Sequence, residues 1–387
     1  MKTSKQPNQT WFNVPNEINE TYKLMEDAGF VTFPFSGFPF FLPIGQRIMR
    51  SIGNIIRQEA ESNGFDEVYL PLIQHKKYLE ESGRAKLFES EFMKLSGKRS
   101  DFLLTPTNEE VLLERATQGL QSYRQLPIKQ FQIADKFRDI LKPKCLMRSR
   151  QFLMADMCSV DANEESLRKS AQSFEKLAEQ VFRRMGINVF RLEKDKGNYV
   201  DYVIPCNEGE TKVVLEKGKM RYALPDENAT KSSSVGMYFI FNEAGNLPIS
   251  YVDQQGNKQS VKFGTYGLGL QRCFHAIVDQ NRDNLGLNFP KEVRPFNFSV
   301  IPINPNKDTH RDYANKVYET LSRLGKNPLL EDREVLMKKR AIYSDFMGIP
   351  YKLFIGDNEV QDISLILKNR GEDKGHKISL ERAVELA

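Results

Sequence analysis

The stretch KFRDILKPKCLMRSRQFLMAD, residues 136–156, indicates how the larger part of the chain folds. Its apolar residues are spaced as in a strand at each end, and lysines, arginines and a proline fill the middle. We expect two strands joined as a hairpin, which brings Arg138 and Arg148 near each other across it. Two such guanidiniums repel each other unless an anion lies between them, and a triphosphate fits because arginine donates to phosphate oxygens in a fixed fork. A solvated basic loop is the alternative.

Length and composition are those of an ordinary globular protein. The 387 residues suffice for two or three domains, and 40% apolar with 28% charged residues is usual for a soluble chain. The net charge of +5 is compatible with a nucleic-acid partner without requiring one. No apolar run reaches membrane-spanning length, so we expect no membrane partner.

The cysteines and histidines give no sign of a metal centre or a disulfide framework. No pair of cysteines has the spacing of zinc ligands, and we interpret the histidines as structural or surface residues. We therefore expect no metal site built from protein side chains alone. We also expect a reducing compartment, which is the cytoplasm or else an organellar matrix. The residues concerned are Cys145, Cys158, Cys206, Cys273, His75, His275, His310 and His376.

The pattern along the chain predicts a polar arm followed by two domains. Residues 1–20 are polar. Residues 21–293 mix helical and strand-like segments without regular βαβ units, which predicts an α+β domain with an antiparallel sheet and flanking helices. The composition shifts at NFPKEVRPFN. Beyond it, residues 294–387 alternate strand-like and helical segments, which predicts a small α/β domain.

Caps and breakers mark the ends of several elements. Residues 164–186 place an apolar stripe on one helical face and end at Gly186. The run TPTNEEVLLERATQGL opens with Thr107 and Glu110 in capping-box spacing, which predicts the start of a helix. The run DEVYLPLI predicts a short strand that is ended by Pro71.

A second candidate site for an anion is the stretch FGTYGLGLQRCFHAIVDQ, residues 263–280. Gly264, Gly267 and Gly269 precede Arg272, and glycines at a strand-to-helix junction let the backbone approach a ligand closely. The stretch is not a dinucleotide fingerprint, because that motif needs a glycine where Arg272 stands and a βαβ unit around it. An ordinary structural turn is the alternative.

Together these stretches resemble the signature motifs of class II aminoacyl-tRNA synthetases, in their order. The resemblance is closest to prolyl-tRNA synthetases of the bacterial or organellar type, and it runs from about Gly37 to near the C-terminus. About 70 residues separate Asp195 from Gly264, too few to hold the editing insertion as a further domain. The resemblance rests on LLTPTNEEV, SYRQLPIKQFQIADKFRD, MRSRQFLMAD, GTYGLGLQR and LLEDREVLMKKRAIYSDFMGIPYKLFIGD.

The resemblance implies a role for several residues. Arg138 and Arg272 correspond to the catalytic arginines, which hold the α-phosphate with the substrate carboxylate and the γ-phosphate. Pro71 corresponds to a proline at a dimer interface. The implied proline site comprises Thr107, Glu109 and Arg138. The implied ATP site comprises Arg138, Arg148, Phe152, Gly267, Gly269 and Arg272.

The resemblance also implies a reaction and partners. Proline is joined to ATP, with Mg²⁺ as cofactor, and the prolyl group is then transferred to tRNA(Pro) by a homodimer. The C-terminal domain resembles the anticodon-binding domain of related synthetases. We expect the basic residues of REVLMKKR, residues 333–340, to contact RNA; a solvated helix face is the alternative.

Four positions depart from the family pattern, and they leave a second hypothesis open. Ile140 and Gln151 stand where the family usually has glutamate, and the segments DKGNYVDYVI and TKSSSVG replace two substrate-side loops. The alternative is therefore a synthetase-like paralogue with an eroded site, which binds RNA, regulates another process or adenylates another substrate.

Overall fold

The computed structural model describes residues 1–5, 20–194, 197–216, 218–224, 226–241 and 249–386, without the side chains of residues 87 and 88. Most of the predicted polar arm therefore lies outside the described residues. The chain forms two compact units. One comprises Met1–Thr32, Phe41–Ile48 and Ile277–Ala387, and the other Phe33–Phe40 and Met49–Ala276. The predicted domain boundaries stay a prediction.

The described helices and strands have the following bounds. The helices are α1 (Thr21–Asp27), α2 (Pro43–Ser62), α3 (Lys77–Glu81), α4 (Ala85–Phe88), α5 (Glu109–Ala116), α6 (Glu164–Met185), α7 (Leu270–Gln280), α8 (Asp308–Arg323), α9 (Met337–Phe346), α10 (Asp357–Gln361) and α11 (Leu380–Glu385). The strands are β1 (Val31–Phe35), β2 (Phe38–Phe41), β3 (Asp66–Glu67), β4 (Ile73–His75), β5 (Phe102–Leu104), β6 (Ile128–Phe137), β7 (Gln151–Asp161), β8 (Phe190–Lys194), β9 (Tyr199–Pro205), β10 (Thr211–Glu216), β11 (Lys219–Tyr222), β12 (Thr230–Phe241), β13 (Ser250–Val252), β14 (Lys258–Ser260), β15 (Lys262–Gly269), β16 (Arg282–Asp283), β17 (Gly286–Leu287), β18 (Phe298–Pro302), β19 (Pro328–Leu330), β20 (Tyr351–Ile355), β21 (Leu365–Asn369) and β22 (His376–Ile378).

The larger unit is built on a nine-stranded sheet in the order β11-β10-β12-β15-β7-β6-β3, with β9 also paired to β12 and β8 to β9. Its pairs are antiparallel except for β3 and β6. The opening stretch forms the predicted hairpin, in which β6 and β7 pair from Phe137 opposite Gln151. The predicted α+β class with an antiparallel sheet is confirmed.

Helix α6 packs on this sheet as its sequence pattern predicted. The apolar stripe is buried, and it comprises Leu167, Ala171, Phe174, Ala178 and Val181. Asn163 caps the first turn, because its Oδ1 accepts from Ser166 N at 2.9 Å. Gly186 ends the helix with φ +64°, a left-handed conformation that glycine adopts without steric cost.

Two local predictions hold only in part: a helix begins at Glu109 and a strand at Asp66, as expected, but their details differ. The run DEVYLPLI does not form one strand up to Pro71: β3 covers only Asp66 and Glu67, and Ile73 already belongs to β4. The capping box at Thr107 does not form, because α5 has Asn108 as N-cap and no side-chain cap bond. The Glu110 carboxylate is instead held by Ser82 and Arg84, so it does not reach back to the helix start.

The C-terminal part of the other unit is the predicted alternation of strands and helices. Its five-stranded sheet has the order β19-β18-β20-β21-β22, with β18 parallel to both β19 and β20. The core beneath α8 includes Val317 and Leu321. Near the start of the chain, Lys2 forms a bridge to Leu330 of β19, and Thr3 Oγ1 donates to Asp332 at 3.0 Å. Among the described residues, no helix is both long enough and apolar enough to cross a membrane.

The basic run 333–340 corrects one expectation. Arg333 is buried in an ion pair with Glu331 at 2.7 Å, and Arg340 is fully buried. Lys338 and Lys339 are exposed. Two of the four cations that we expected to contact RNA are therefore bound within the protein.

Candidate active site

The larger unit contains a cavity of about 420 Å³. Its walls come from β7, β12 and β15, the loop between β6 and β7, and the starts of α5 and α7. All predicted proline and ATP residues line it: Thr107, Glu109, Arg138, Arg148, Phe152, Gly267, Gly269 and Arg272. Pro71 does not; it is exposed between β3 and β4.

Arg138 is held at the end of β6 by backbone and aromatic contacts. Its Nε donates to Pro106 O at 3.1 Å, and its guanidinium carbon lies 5.3 Å from the ring centre of Phe152. Burial lowers the pKa of Arg138, while Glu91, Glu109 and Asp156 favour its charge.

The hairpin register differs in detail from the expectation. Arg138 N donates to Arg150 O at 2.8 Å, so Arg150 rather than Arg148 stands opposite Arg138. Arg150 in turn fixes the loop, because Nη1 donates to Ser36 O at 2.7 Å and Nε to Ile140 O at 3.1 Å. The longer loop still brings Arg148 to the cavity wall.

Arg272 lies on the first turn of α7, and two of its three guanidinium nitrogens are hydrogen-bonded to backbone oxygens. Its Nε donates to Met147 O at 2.9 Å and Nη1 to Ser234 O at 2.8 Å. In the part of the chain that the structure describes, no hydrogen bond involves its Nη2. Burial lowers the pKa of Arg272, and the charge of Arg138 lowers it further. Because the charge of each guanidinium disfavours the charge of the other, the two arginines that line this cavity are suited to bind an anionic ligand.

The positive charges of the opening stretch serve different ends. Lys136 is fully buried in an ion pair with Asp156 at 2.6 Å, so this charge is neutralised. Arg148 pairs with Glu210 and stays partly exposed. Neither a solvated basic loop nor a uniform anion site describes the hairpin, because Arg138 and Arg148 line the cavity, Lys136 and Arg150 hold the structure, and Lys142 is exposed.

The opposite charge gathers at the start of α5. Arg84 Nη1 pairs with both Glu109 and Glu110, at 3.0 Å from Glu110. Burial opposes the charge of Arg84, but the two carboxylates raise the pKa of its guanidinium above its usual range. Burial also raises the pKa of Glu110. Glu109 and Arg84 both line the cavity, which thus has a carboxylate as well as arginines.

The glycines before Arg272 have different steric surroundings. A Cβ on Gly264 would lie 2.3 Å from Tyr266 Oη, so packing against a rigid ring requires that glycine. A Cβ on Gly269 would meet only Arg272 side-chain atoms, at 3.6 Å or more. Packing within the protein therefore does not explain Gly269, which lines the cavity.

Ile140 and Gln151, the two single residues that depart from the family pattern, have different surroundings. Ile140 is buried and lines the cavity, where it offers an apolar surface and no acceptor. Gln151 does not line it; its Nε2 donates to Asp135 at 3.2 Å across the sheet.

Sequence reasoning missed several lining residues, among them Arg84, Glu91 and Glu210. Two adjacent glutamates at the start of a largely buried helix signal that a cation is needed. That signal does not say which of the 56 lysines and arginines supplies it.

Comparisons with known families and proteins match both parts of the chain. Residues 91–281 match the tRNA synthetase class II core domain (G, H, P, S and T), and residues 297–387 match the anticodon binding domain. A proline–tRNA ligase of Wolbachia sp. subsp. Brugia malayi (strain TRS) is 28% identical over 403 residues, covering 95% of this chain and 94% of that protein. One of Ehrlichia ruminantium (strain Gardel) is 27% identical over 422 residues, covering 99% and 98%.

Solved structures share the fold. The Giardia lamblia prolyl-tRNA synthetase in complex with prolyl-adenylate gives a TM-score of 0.74 at 18% identity, covering 93% of this chain and 74% of that one. The Cryptosporidium parvum prolyl-tRNA synthetase complexed with halofuginone and AMPPNP gives 0.74 at 18% identity, covering 94% and 73%.

Proposed function

We propose that this chain, which belongs to the class II aminoacyl-tRNA synthetases, works as a proline–tRNA ligase. Its two matched regions are the class II core and the anticodon-binding domain, and curated relatives over almost its whole length are proline–tRNA ligases. It joins proline to ATP to form prolyl-adenylate and pyrophosphate, and then transfers the prolyl group to tRNA(Pro).

One observation carries the proposal: a single cavity is lined by Arg138, Arg272 and the Glu109 carboxylate. In the first step the carboxylate oxygen of proline bonds to the α-phosphorus of ATP, and the bond to pyrophosphate breaks with its electron pair. Negative charge grows on the phosphate oxygens, so fixed guanidiniums lower the barrier. The protein needs no nucleophile of its own, because it acts by placing the reactants and stabilising charge.

The substrate amine is assigned to the acidic side of the cavity. Glu109 accepts from the secondary ammonium of proline, and Thr107 beside it offers a hydroxyl. Arg84 positions the Glu109 side chain. Arg138 binds the carboxylate and the α-phosphate, which puts both reacting groups on one side chain.

The nucleotide is assigned to the arginine side. Arg272 keeps Nη2 for the γ-phosphate, Arg148 contacts the phosphates, and Phe152 provides a stacking surface for adenine. Gly269 leaves room for the ligand, and Gly267 lines the same cavity. Mg²⁺ takes oxygen ligands from phosphates and one or two carboxylates, and Glu91 and Glu210 line the cavity with such oxygens. When bound, the ion supplies positive charge to the leaving pyrophosphate.

We assign three further features. Pro71 lies with exposed Tyr69 and Ile73 on one short segment, an apolar surface suited to a homodimer interface. Exposed Lys338 and Lys339 of the C-terminal region are suited to RNA phosphates. The cytoplasm is the compartment we expect. Among the described residues no observation favours the alternative of a paralogue with an eroded site.

The test is aminoacylation of a tRNA(Pro) transcript with proline, alanine and threonine as competing substrates. We expect charging with proline at a kcat/KM well above that of the other two. A control transcript with a changed anticodon loop reports on the C-terminal region. Charging with another amino acid only, or none with any of them, would contradict the proposal.

A further inference from the structure

Three side chains that are far apart in sequence meet near Arg272. Cys206 follows β9, Glu208 lies in the next turn, and His275 stands on α7, one helical turn beyond Arg272. Their thiol, carboxylate and imidazole donor atoms all lie within 4.8 Å of one another. No second group of three or more histidine, cysteine and acidic side chains meets this condition in the described part of the chain.

Local backbone geometry places the first two donors side by side. Cys206 N donates to Lys231 O at 3.0 Å, which extends the pairing of β9 with β12 by one residue. Gly209 N then donates to Cys206 O at 3.0 Å and closes a tight turn. A Cβ on Gly209 would lie 2.1 Å from the backbone oxygen of Ser232, so only glycine fits there. The turn presents Cys206 and Glu208 towards α7.

The donor distances are close to those of a bound ion. Cys206 Sγ lies 4.0 Å from His275 Nε2 and 3.0 Å from Glu208 Oε2. Around a tetrahedral zinc ion, a thiolate and a nitrogen or oxygen ligand are about 3.6 Å apart. To reach this value, the distance from sulfur to nitrogen shortens and the distance from sulfur to oxygen lengthens, each by about half an ångström. The side chains of Cys206 and Glu208 are both partly exposed and can make these movements.

We propose that Cys206, Glu208 and His275 bind a zinc-class divalent ion, with a fourth position left for water. A thiolate, an imidazole and a carboxylate are ligands that zinc accepts together, whereas Mg²⁺ and Ca²⁺ select oxygen alone. On binding, the S–H bond of Cys206 is replaced by a bond from sulfur to the ion, and the proton passes to solvent.

The ion lies outside the cavity and stabilises the segments that carry cavity residues. None of its three ligands lines the cavity. The ion ties the turn at Cys206 to the helix that carries Arg272. The same turn leads to Glu210, which pairs with Arg148. Both phosphate-side arginines are thereby held by one cross-link.

The sequence analysis expected no such site because its spacing rules search for neighbouring ligands. Cys206 and His275 are 69 residues apart, and they come together only through the pairing of β9, β12 and β15. The site does not depend on the proposed function, since the metal content of the protein is measured without substrates.

The experiment measures metal binding by the full chain. Protein expressed with added zinc is dialysed, and its zinc content is determined by mass spectrometry. Metal-free protein is then titrated with Co²⁺, which gives a thiolate-to-cobalt charge-transfer band when a cysteine is a ligand. We expect close to one zinc per chain, a cobalt band, and a Tm that rises with zinc concentration, because the ion binds the folded state.

Matched variants decide which side chains are the ligands. Cys206→Ser should abolish the cobalt band and the rise in Tm, and Glu208→Gln should weaken Co²⁺ binding by about tenfold or more. Cys145→Ser, a partly exposed cysteine outside the cluster, should change neither. Circular dichroism checks that each variant is folded. No cobalt band in the wild type, or a band that persists in Cys206→Ser, would overturn the proposal.

Discussion

Arg272 in the larger unit and Arg340 in the other unit are two arginines with different surroundings. Arg340 is 0% exposed, and all its guanidinium nitrogens donate to backbone oxygens: Nε to Val335, Nη1 to Pro302 and Glu331, and Nη2 to Ile303, at 2.7–3.2 Å. Arg272 gives two nitrogens to backbone oxygens and keeps Nη2 at a cavity wall.

The difference separates a structural arginine from a ligand-binding one. Donors that are all used by the backbone hold a loop and a helix together and have nothing left for a ligand. A donor left over beside a second guanidinium is costly unless an anion binds there. The number of committed donors therefore assigns Arg340 to stability and Arg272 to function, although the sequence marked both as candidate ligand-binding residues.

The largest effect on stability should come from Arg340→Ala. The substitution leaves four backbone oxygens without their donor, two of them in fully buried bonds. Each orphaned buried acceptor costs about 1–3 kcal/mol, so we expect a loss of about 2–6 kcal/mol in the free energy of unfolding. Urea unfolding measures it. Lys339→Ala, exposed on the same helix, is the control and should change stability by less than about 0.5 kcal/mol. If Arg340→Ala were as stable as wild type, Arg340 would not have the structural role that distinguishes it from Arg272.

A smaller effect, on substrate binding, should come from Glu109→Gln. Removing the charge that meets the substrate ammonium costs about 1.5–3 kcal/mol, which raises the KM for proline about 10- to 150-fold. The KM for ATP should change little, because the carboxylate lies on the amine side. Glu114→Gln on the same helix, a partly exposed position outside the cavity, is the matched control. An unchanged KM for proline would show that Glu109 serves only Arg84.

Ile140→Glu should strengthen ATP binding by about 0.5–1.5 kcal/mol. Ile140 lines the cavity without an acceptor, so we expect the wild type to discriminate weakly between ATP and GTP. The glutamate supplies an acceptor for the adenine amino group, so the KM for ATP should fall and the preference over GTP should rise. Leu141→Glu, 92% exposed next to it, should have no such effect. Strict ATP selectivity in the wild type would show that Ile140 does not face adenine.

The smallest effect should be a pH dependence from Asp201, which lies near Arg272. Burial raises the pKa of Asp201, although Ser234, Tyr199 and Arg272 favour its charge. Because the pKa of this carboxyl is higher in the folded than in the unfolded protein, the unfolded state ionises first as pH rises. The stability that the protein has below the unfolded-state pKa is therefore lost as pH rises through the folded-state pKa. Asp201→Asn should therefore gain stability relative to wild type as pH rises above about 4, the ordinary pKa of an aspartate. Asp66→Asn, on an exposed strand, is the control. A relative loss over that range would contradict the sign.

Sequence patterns predicted the elements whose cause is local. The α6 stripe and Gly186 follow from helical periodicity, and the β6–β7 hairpin follows from strand-like spacing at both ends of one stretch. The capping box at Thr107 failed because tertiary contacts to Glu110, from Ser82 and Arg84, replaced the local bond.

The candidate site was predictable where a motif was continuous, and not where the fold assembles it. Arg138, Arg148 and Arg272 stand in recognisable runs. Arg84 and Glu210 reach the cavity only through tertiary structure, and no local pattern marks them. Arg333 and Arg340 show the opposite error, since a basic run does not reveal which of its cations are bound within the protein, to a carboxylate or to backbone oxygens.

ATP–pyrophosphate exchange with proline, measured side by side for wild type, Arg272→Ala and Arg168→Ala, tests the central claim most directly. Arg168 is an exposed arginine of α6 and serves as the control. If the cavity is the adenylation site, wild type and Arg168→Ala exchange alike. Arg272→Ala then loses about 3–4 kcal/mol of transition-state stabilisation, a fall of at least about a hundredfold in rate. Circular dichroism should still show a folded protein, although its stability falls because Met147 O and Ser234 O lose their donor. Wild-type exchange in a folded Arg272→Ala protein would contradict the account.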